Sequence, residues 1–335
     1  MSRLFRHAGG AWPNLLIMAY TLCSWLLGIG LLTLPNPGLN VAGVLLTAHG
    51  LVISAYLIHE CVHQTLFATP AANDRLGKLC GWLNGACVAN YAGLKKKHLR
   101  HHADRLDVVT FDYRAALNST PPWVRKTVLG LEWAYVPVIE LMMRGMVIAA
   151  PFYFGTTRDR VRVVMLVAIR LAFFVGLALI SLKAVLLYAM AYLLFLHVLR
   201  FMDAYQHTYD VFPSRSLEPA PPDPRRTRRY EYENTYSNLV AVRWPWLNLL
   251  TLNFAYHNAH HARSGEPWYR LPALHHALYE ANDPQVLPCR DLIAGYHRNR
   301  VTRVFAADYG TVGSDGGSRA SQFIGAVGVS FLTAI

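Results

Sequence analysis

The sequence predicts an all-α integral membrane protein, with about four transmembrane helices in two hairpins and a cytoplasmic helical cap carrying a metal site. Three observations lead there. The 335 residues are 53% hydrophobic and only 16% charged, whereas about a quarter of the residues of an average soluble protein are charged. Long apolar runs approach the ~20 residues that a helix needs to cross a bilayer. Eight of the fifteen histidines fall in three short boxes beside those runs.

The elements follow in chain order. Residues 11–34 are apolar and hold no charge, and Pro35-Asn36-Pro37-Gly38 then makes a tight turn. A second span over 41–58 ends directly at His59. The stretch 60–162 is mixed, with interrupted apolar pieces at 76–94 and 128–154. The latter carries Glu132, Glu140 and Arg144, which suits a helix lying in the membrane interface better than a lipid-facing span. A third span runs over 163–182 and tolerates Arg170. Only Lys183 separates it from a fourth over 184–199. From 213 to 229 the chain is rich in proline and arginine, and after that it is aromatic and histidine-rich. Residues 1–312 read as one domain and 313–335 as a flexible tail. Within the tail, 314–321 looks disordered and 323–335 is too short to cross a bilayer.

Charge placement sets the expected topology. Arg3 and Arg6, then Lys95, Lys96 and Lys97, then Arg225, Arg226, Arg228 and Arg229 lie outside the spans, while the two short turns are charge-poor. By the positive-inside rule both termini and the middle segment are cytoplasmic, so all three boxes face one compartment. The net charge of +12 is either this topology signal or a surface for anionic headgroups or an acidic protein. No nucleic-acid partner is expected. Cys23, Cys61, Cys80, Cys87 and Cys289 form neither a CxxC nor a paired framework. No cleavable signal peptide is expected either.

The boxes are His59-Glu60-Cys61-Val62-His63, His98-Leu99-Arg100-His101-His102 and His257-Asn258-Ala259-His260-His261. Residues three and four apart share a helix face, so each box is a ready claw of two or three imidazoles. Eight imidazoles are too many for one ion and suffice for two first-row metals. His59–His63 also spells HExxH, the zinc-protease motif. That reading needs one zinc and three ligands and leaves the other histidines idle, so it stays a remote alternative. Transporters place polar groups within their spans, whereas these histidines lie at span ends and in loops.

The series HxxxH, HxxHH, HxxHH between hydrophobic hairpins resembles the membrane fatty acid desaturase superfamily. That superfamily includes acyl-lipid and acyl-CoA desaturases, hydroxylases, acetylenases and carotenoid ketolases. The resemblance covers about residues 41–276; it is specific for the superfamily and not for substrate. It implies two iron ions, O2 as co-substrate, two electrons from a carrier, and hydrogen removal from an unactivated methylene. Some acyl-CoA members have a further histidine before the third box, with a polar residue, usually Asn, four positions earlier. Asp203-Ala204-Tyr205-Gln206-His207 fits that place. Asp203 departs from the pattern, and it could bind metal, hold a water or orient His207. His197 is a rival to His207, but it lies inside the apolar run.

The expected iron ligands are therefore His59, His63, His98, His101, His102, His207, His257, His260 and His261. Asp104, the nearest of Asp104, Asp107 and Asp112 to the second box, could accept a hydrogen bond from a ligand imidazole. Glu60 could do so too, or be a helix-end charge. Lys95, Lys96 and Lys97 suit a headgroup or a phosphopantetheine arm, with topology as the plainer role. The segment 267–272 resembles the family's usual continuation after the third box. The reading is an O2-dependent di-iron fatty acyl desaturase acting on a lipid or acyl-carrier substrate. A hydroxylase, ketolase or acetylenase acting on a lipid or carotenoid is the alternative, because the boxes are shared. No HPGG or strand-flanked GxGxxG occurs. The expected electron donor is therefore a separate protein, ferredoxin-like or a b-type cytochrome.

Overall fold

The computed structural model describes residues 4–109, 111–213, 219–280, 283–310, 312 and 320–335. Its helices are α1 (Ala11–Thr33), α2 (Pro37–Val62), α3 (Pro70–Asn84), α4 (Tyr91–Asp104), α5 (Tyr113–Asn118), α6 (Pro122–Trp133) and α7 (Val138–Phe154). They continue with α8 (Thr157–Ile180), α9 (Leu182–Ala204), α10 (Arg228–Glu233), α11 (His257–Ala262), α12 (Leu271–Leu278) and α13 (Cys289–Arg298). Among the described residues α1, α2, α8 and α9 are long and apolar enough to cross a membrane. The chain divides into two compact units, Met1–Tyr91 with Gly145–Val198, and Ala92–Arg144 with Leu199–Ala334.

In the first unit α2 starts as its sequence dictates. The Asn36 side chain accepts a hydrogen bond from Leu39 N (3.1 Å) and Pro37 takes the first helical position. Small residues let α1 and α2 approach closely: a Cβ on Gly43 would sit 2.9 Å from the Gly28 carbonyl, and one on Gly50 2.7 Å from Ser24 Oγ. In lipid every open carbonyl is expensive, and the C-terminus of α1 has four of them. Asn40 Nδ2 donates to Leu31 O (2.8 Å) and Leu34 O (3.0 Å). Lys183 Nζ, at the start of α9, donates to Leu34 O and Asn40 Oδ1. The lone charge between the third and fourth spans thus has a structural task. Leu32, Leu177, Ala184 and Tyr188 pack together beside it.

The spans run further than hydropathy marks. α8 begins at Thr157 under a Thr156/Asp159 capping box, and α9 continues to Ala204. Arginines are tolerated in α8 because they end on backbone oxygens. Arg170 Nη1 donates to Trp82 O (2.6 Å) and Arg162 Nη2 to Val88 O (2.9 Å).

The second unit corrects several expectations. Residues 128–154 are not one interfacial helix: α6 and α7 meet at 118°. Glu132 and Glu140 are buried there, with Arg200 Nη1 2.6 Å from Glu132 Oε2 and Arg200 Nε 3.3 Å from Glu140 Oε1. The mostly helical fold also holds one short parallel pair, β1 (Asp107–Val109) and β2 (Val211–Pro213), with Asp107 opposite Val211. The expectation of a loose tail fails for 320–335. Phe323 is fully buried against Tyr205 and Tyr236, and Ala326 N donates to Ala204 O (2.8 Å). Gly325 has φ +82, and a Cβ there would lie 2.7 Å from Ala204 O, so the sharp turn needs glycine. Residues 314–319 of the run read as disordered lie outside the described residues.

Removing one partner of a buried ion group strands the others. Arg200→Met is therefore expected to lower stability by about 3–5 kcal/mol. The drop is read as a lower unfolding midpoint in detergent, and Glu132→Gln with Glu140→Gln should restore part of it. An unmoved midpoint in the single variant would show that the carboxylates are solvated.

Candidate metal centre

Each histidine box is placed by a helix end. α2 closes at His63, which caps it, and the rings of His59 and His63 lie 4.7 Å apart. Both belong to the first unit. Glu60 is buried beside them, with Oε1 3.6 Å from His59 Nδ1 and Oε2 accepting from Thr65 Oγ1. Glu60 thus lies against His59 near the end of α2. Cys61 is buried in packing.

The other boxes lie in the second unit. α4 presents His98, His101 and His102, and α11 presents His257, His260 and His261. The claws divide. The ligating nitrogens of His101, His207, His257 and His261 lie within 4.8 Å of one another, and so do those of His98, His102 and His260. In each HxxHH the pair four apart stays together, and the third histidine joins the other group. Helical phase explains this: at about 100° per residue, positions i and i+4 differ by roughly 40°, and i+3 lies roughly 60° to the other side.

Distances inside the groups are those of converging nitrogens. His207 Nε2 lies 3.1 Å from His101 Nε2 and 2.7 Å from His257 Nε2. His102 Nε2 lies 3.1 Å from both His98 Nε2 and His260 Nε2. The outer nitrogens fix tautomers. His101 Nδ1 donates to Leu106 O (2.8 Å) and faces Asp107 Oδ1 at 3.3 Å. His261 Nδ1 donates to Glu231 Oε1 (3.3 Å). A proton on Nδ1 leaves a lone pair on Nε2 pointing inward. His261 Nε2 is buried with no hydrogen-bond partner. Such an atom is costly unless a cation takes its lone pair, so the donor set fits metal ions.

Electrostatics favour the neutral form of His207 and His261, as a ligand must have. Burial pushes the pKa of His207 well below the ordinary value, and the neighbouring His101 and His257 push it further. His261 is lowered in the same way by burial and by His102, His207, His257 and His101.

Other expected residues fall out differently. Asp104 does not reach a histidine; its carboxylate pairs with Arg100 and accepts from Ala220 N. Asp107, rather than the expected Asp104, is the carboxylate near a histidine of the second box, with β1 placing it beside His101. Asp203 and His197 join neither group among the described residues. Asp203 instead lines an adjacent pocket with Lys97, Asp107 and His207. Lys97 is buried rather than a headgroup contact, and burial pulls its ammonium down to about 8 against the pull of Asp107 and Asp203.

Sequence reasoning missed Glu231. Its carboxylate reaches His261, Arg105 Nε (3.0 Å) and Arg228 Nη1 (2.8 Å), and it lies within 4.8 Å of the ligating atoms of both His102 and His261. It can brace a ligand or be one. Only its place in an arginine-rich stretch hinted at it.

The profile of the family described as "Fatty acid desaturase" matches residues 37–292, well over half of the chain and all three boxes. No curated protein matches the chain. With four helices apolar enough to span a bilayer, the match identifies an integral membrane protein. The chain belongs to the fatty acid desaturase family.

Proposed function

We propose that the protein is an O2-dependent di-iron desaturase that places a double bond in the acyl chain of a lipid or carrier-bound substrate. The observation that carries this reading is the sorting of seven buried or half-buried imidazoles into two neighbouring groups. His98, His101, His102, His207, His257, His260 and His261 are the proposed ligands there. His59 and His63 complete the set, because the family match includes their box.

Bound iron supplies the activation of O2 that side chains lack, since no acid or base of a protein removes hydrogen from an unactivated methylene. The balance is simple. Two hydrogens from adjacent methylenes, two electrons from a carrier and two protons reduce O2 to two waters, leaving C=C. The protein's own work is orientation and exclusion of water. Leu106 O and Asp107 hold His101, and Glu231 holds His261. The electron carrier is a separate protein. In this reading the spans form two hairpins with the boxes and both termini on the cytoplasmic side, which the placement of lysines and arginines supports.

Three measurements test this. Purified protein should carry two iron equivalents per chain, and lipids of a host expressing it should gain unsaturated acyl chains absent with His101→Ala. Mass spectrometry separates the loss of two hydrogens from the gain of one oxygen. Identical lipids with both chains would overturn the reading.

Glu231→Gln keeps the shape and removes the charge behind His261. Iron affinity should fall about 10–100-fold, read by chelator competition. An unchanged affinity would leave Glu231 with a purely structural role.

Protons compete with metal for imidazole. Because His207 and His261 have lowered pKa values, protonation starts below the ordinary 6.5 rather than at it. Iron should stay bound on acidification through pH 6.5 and leave only at lower pH. Half-release at or above pH 6.5 contradicts the neutral, buried site.

A further inference from the structure

The last described segment, residues 320–335, has no part in the ligand set, yet it reaches the pocket beside the histidines. It is pinned upstream: Ile324 N donates to Tyr309 O (2.7 Å), Ala326 N to Ala204 O (2.8 Å) and Gly328 N to Glu140 Oε1 (3.4 Å). It is pinned again downstream. Lys97 Nζ donates to Ser330 O and Thr333 O, both at 2.8 Å. A buried ammonium needs such partners, and Lys97 precedes His98 in α4. The hold on the segment and the presentation of a proposed ligand therefore share one helix turn.

Between the pins, Val329 and Phe331 face the pocket. The Phe331 ring stands edge-on to His98 at 5.8 Å and lies 6.5 Å from Phe254, which is itself 4.8 Å from His257. Most of the lining is polar: Lys97, Asp107, Asp203, Gln206 and histidines. Its apolar part is Val108, Phe254, Val329 and Phe331. Among the described residues, an alkyl chain brought to the histidines through this pocket packs on those four side chains, and two come from the last segment.

We propose that residues 323–334 are a built-in wall of the active site, latched by Lys97, and that Phe331 is a specificity-determining residue that sets how bulky a chain can pass His98. The inference rests on the di-iron desaturase reading for its substrate and deepens it.

The test uses the full chain in detergent or proteoliposomes. Phe331→Ala and Phe331→Trp are compared with wild type on acyl substrates of graded length and branching, with iron content measured beside kcat and KM. Phe331→Leu stands in where Ala does not fold. Phe331→Ala should shift relative kcat/KM toward bulkier chains by about tenfold or more, and Trp should shift it the other way, with iron content unchanged. An unchanged ranking of substrates in iron-loaded variants overturns the inference. The latch is read on iron-free protein by hydrogen exchange. Lys97→Met should strip protection from 323–334, and unchanged protection overturns the latch. Absence of iron and lipid product in wild type would sink the desaturase reading, while the exchange result would still judge the latch.

Discussion

The convergence of imidazole nitrogens in a buried place is the constraint on which the rest depends. His207 Nε2 faces the Nε2 atoms of His101 and His257 across 3.1 and 2.7 Å, and one proton cannot serve two such contacts. His101 and His261 spend their only protons outward, on Leu106 O and Glu231. What remains inward is a set of lone pairs out of water, an arrangement that suits cations. Several features outside the groups then have a physical reason. Asp107 must lie on a strand that returns it to His101. Glu231 must be neutralised by Arg105 and Arg228, or its buried charge would itself be a liability.

Much of this was legible. The apolar runs gave the four spans because lipid leaves the backbone no other way to satisfy itself. The HxxxH and HxxHH spacings marked the helix ends that carry the clustered histidines, because residues three and four apart share a face. The division of each HxxHH was not legible. It depends on where two groups sit relative to one helix, which is a tertiary fact. The choice of Asp107 over Asp104 was hidden for a similar reason. Asp104 is nearer in sequence, but it stays in α4 and pairs with Arg100, whereas the turn at Arg105 and the pairing of β1 with β2 bring Asp107 back.

Charges in apolar stretches misled in both directions. Glu132, Glu140 and Arg144 suggested an interface, yet the two glutamates are buried on Arg200. Arg170 looked like a tolerated charge and Lys183 like the lone charge of a turn, yet each ends on a backbone carbonyl of its own unit. Composition counts charges and cannot see partners. The last segment misled because a short, glycine-bearing apolar run resembles a tail. The turns at Gly325 and Gly328, the burial of Phe323 and the reach of Lys97 make it part of a core.

Backbone strain gives a second, independent mark of the site. Among the described residues, five that are not glycine have positive φ: Gln64, Arg105, Tyr135, Leu252 and Asn253. Gln64 directly follows the first box, Arg105 follows the second by three residues, and Leu252 and Asn253 precede the third. Each such residue costs on the order of 1–3 kcal/mol and persists only where its surroundings over-determine it. Here the determinants are visible. Gln64 Nε2 is held by Cys61 O, Arg105 by Glu231 and Arg226 O, and Asn253 Nδ2 by Trp268 O. A chain free to relax would continue each helix or open each loop. Abrupt turns at these points let the helix ends carrying the histidines stop where they do, and in the case of Arg105 the residue that turns the chain also anchors the carboxylate behind His261.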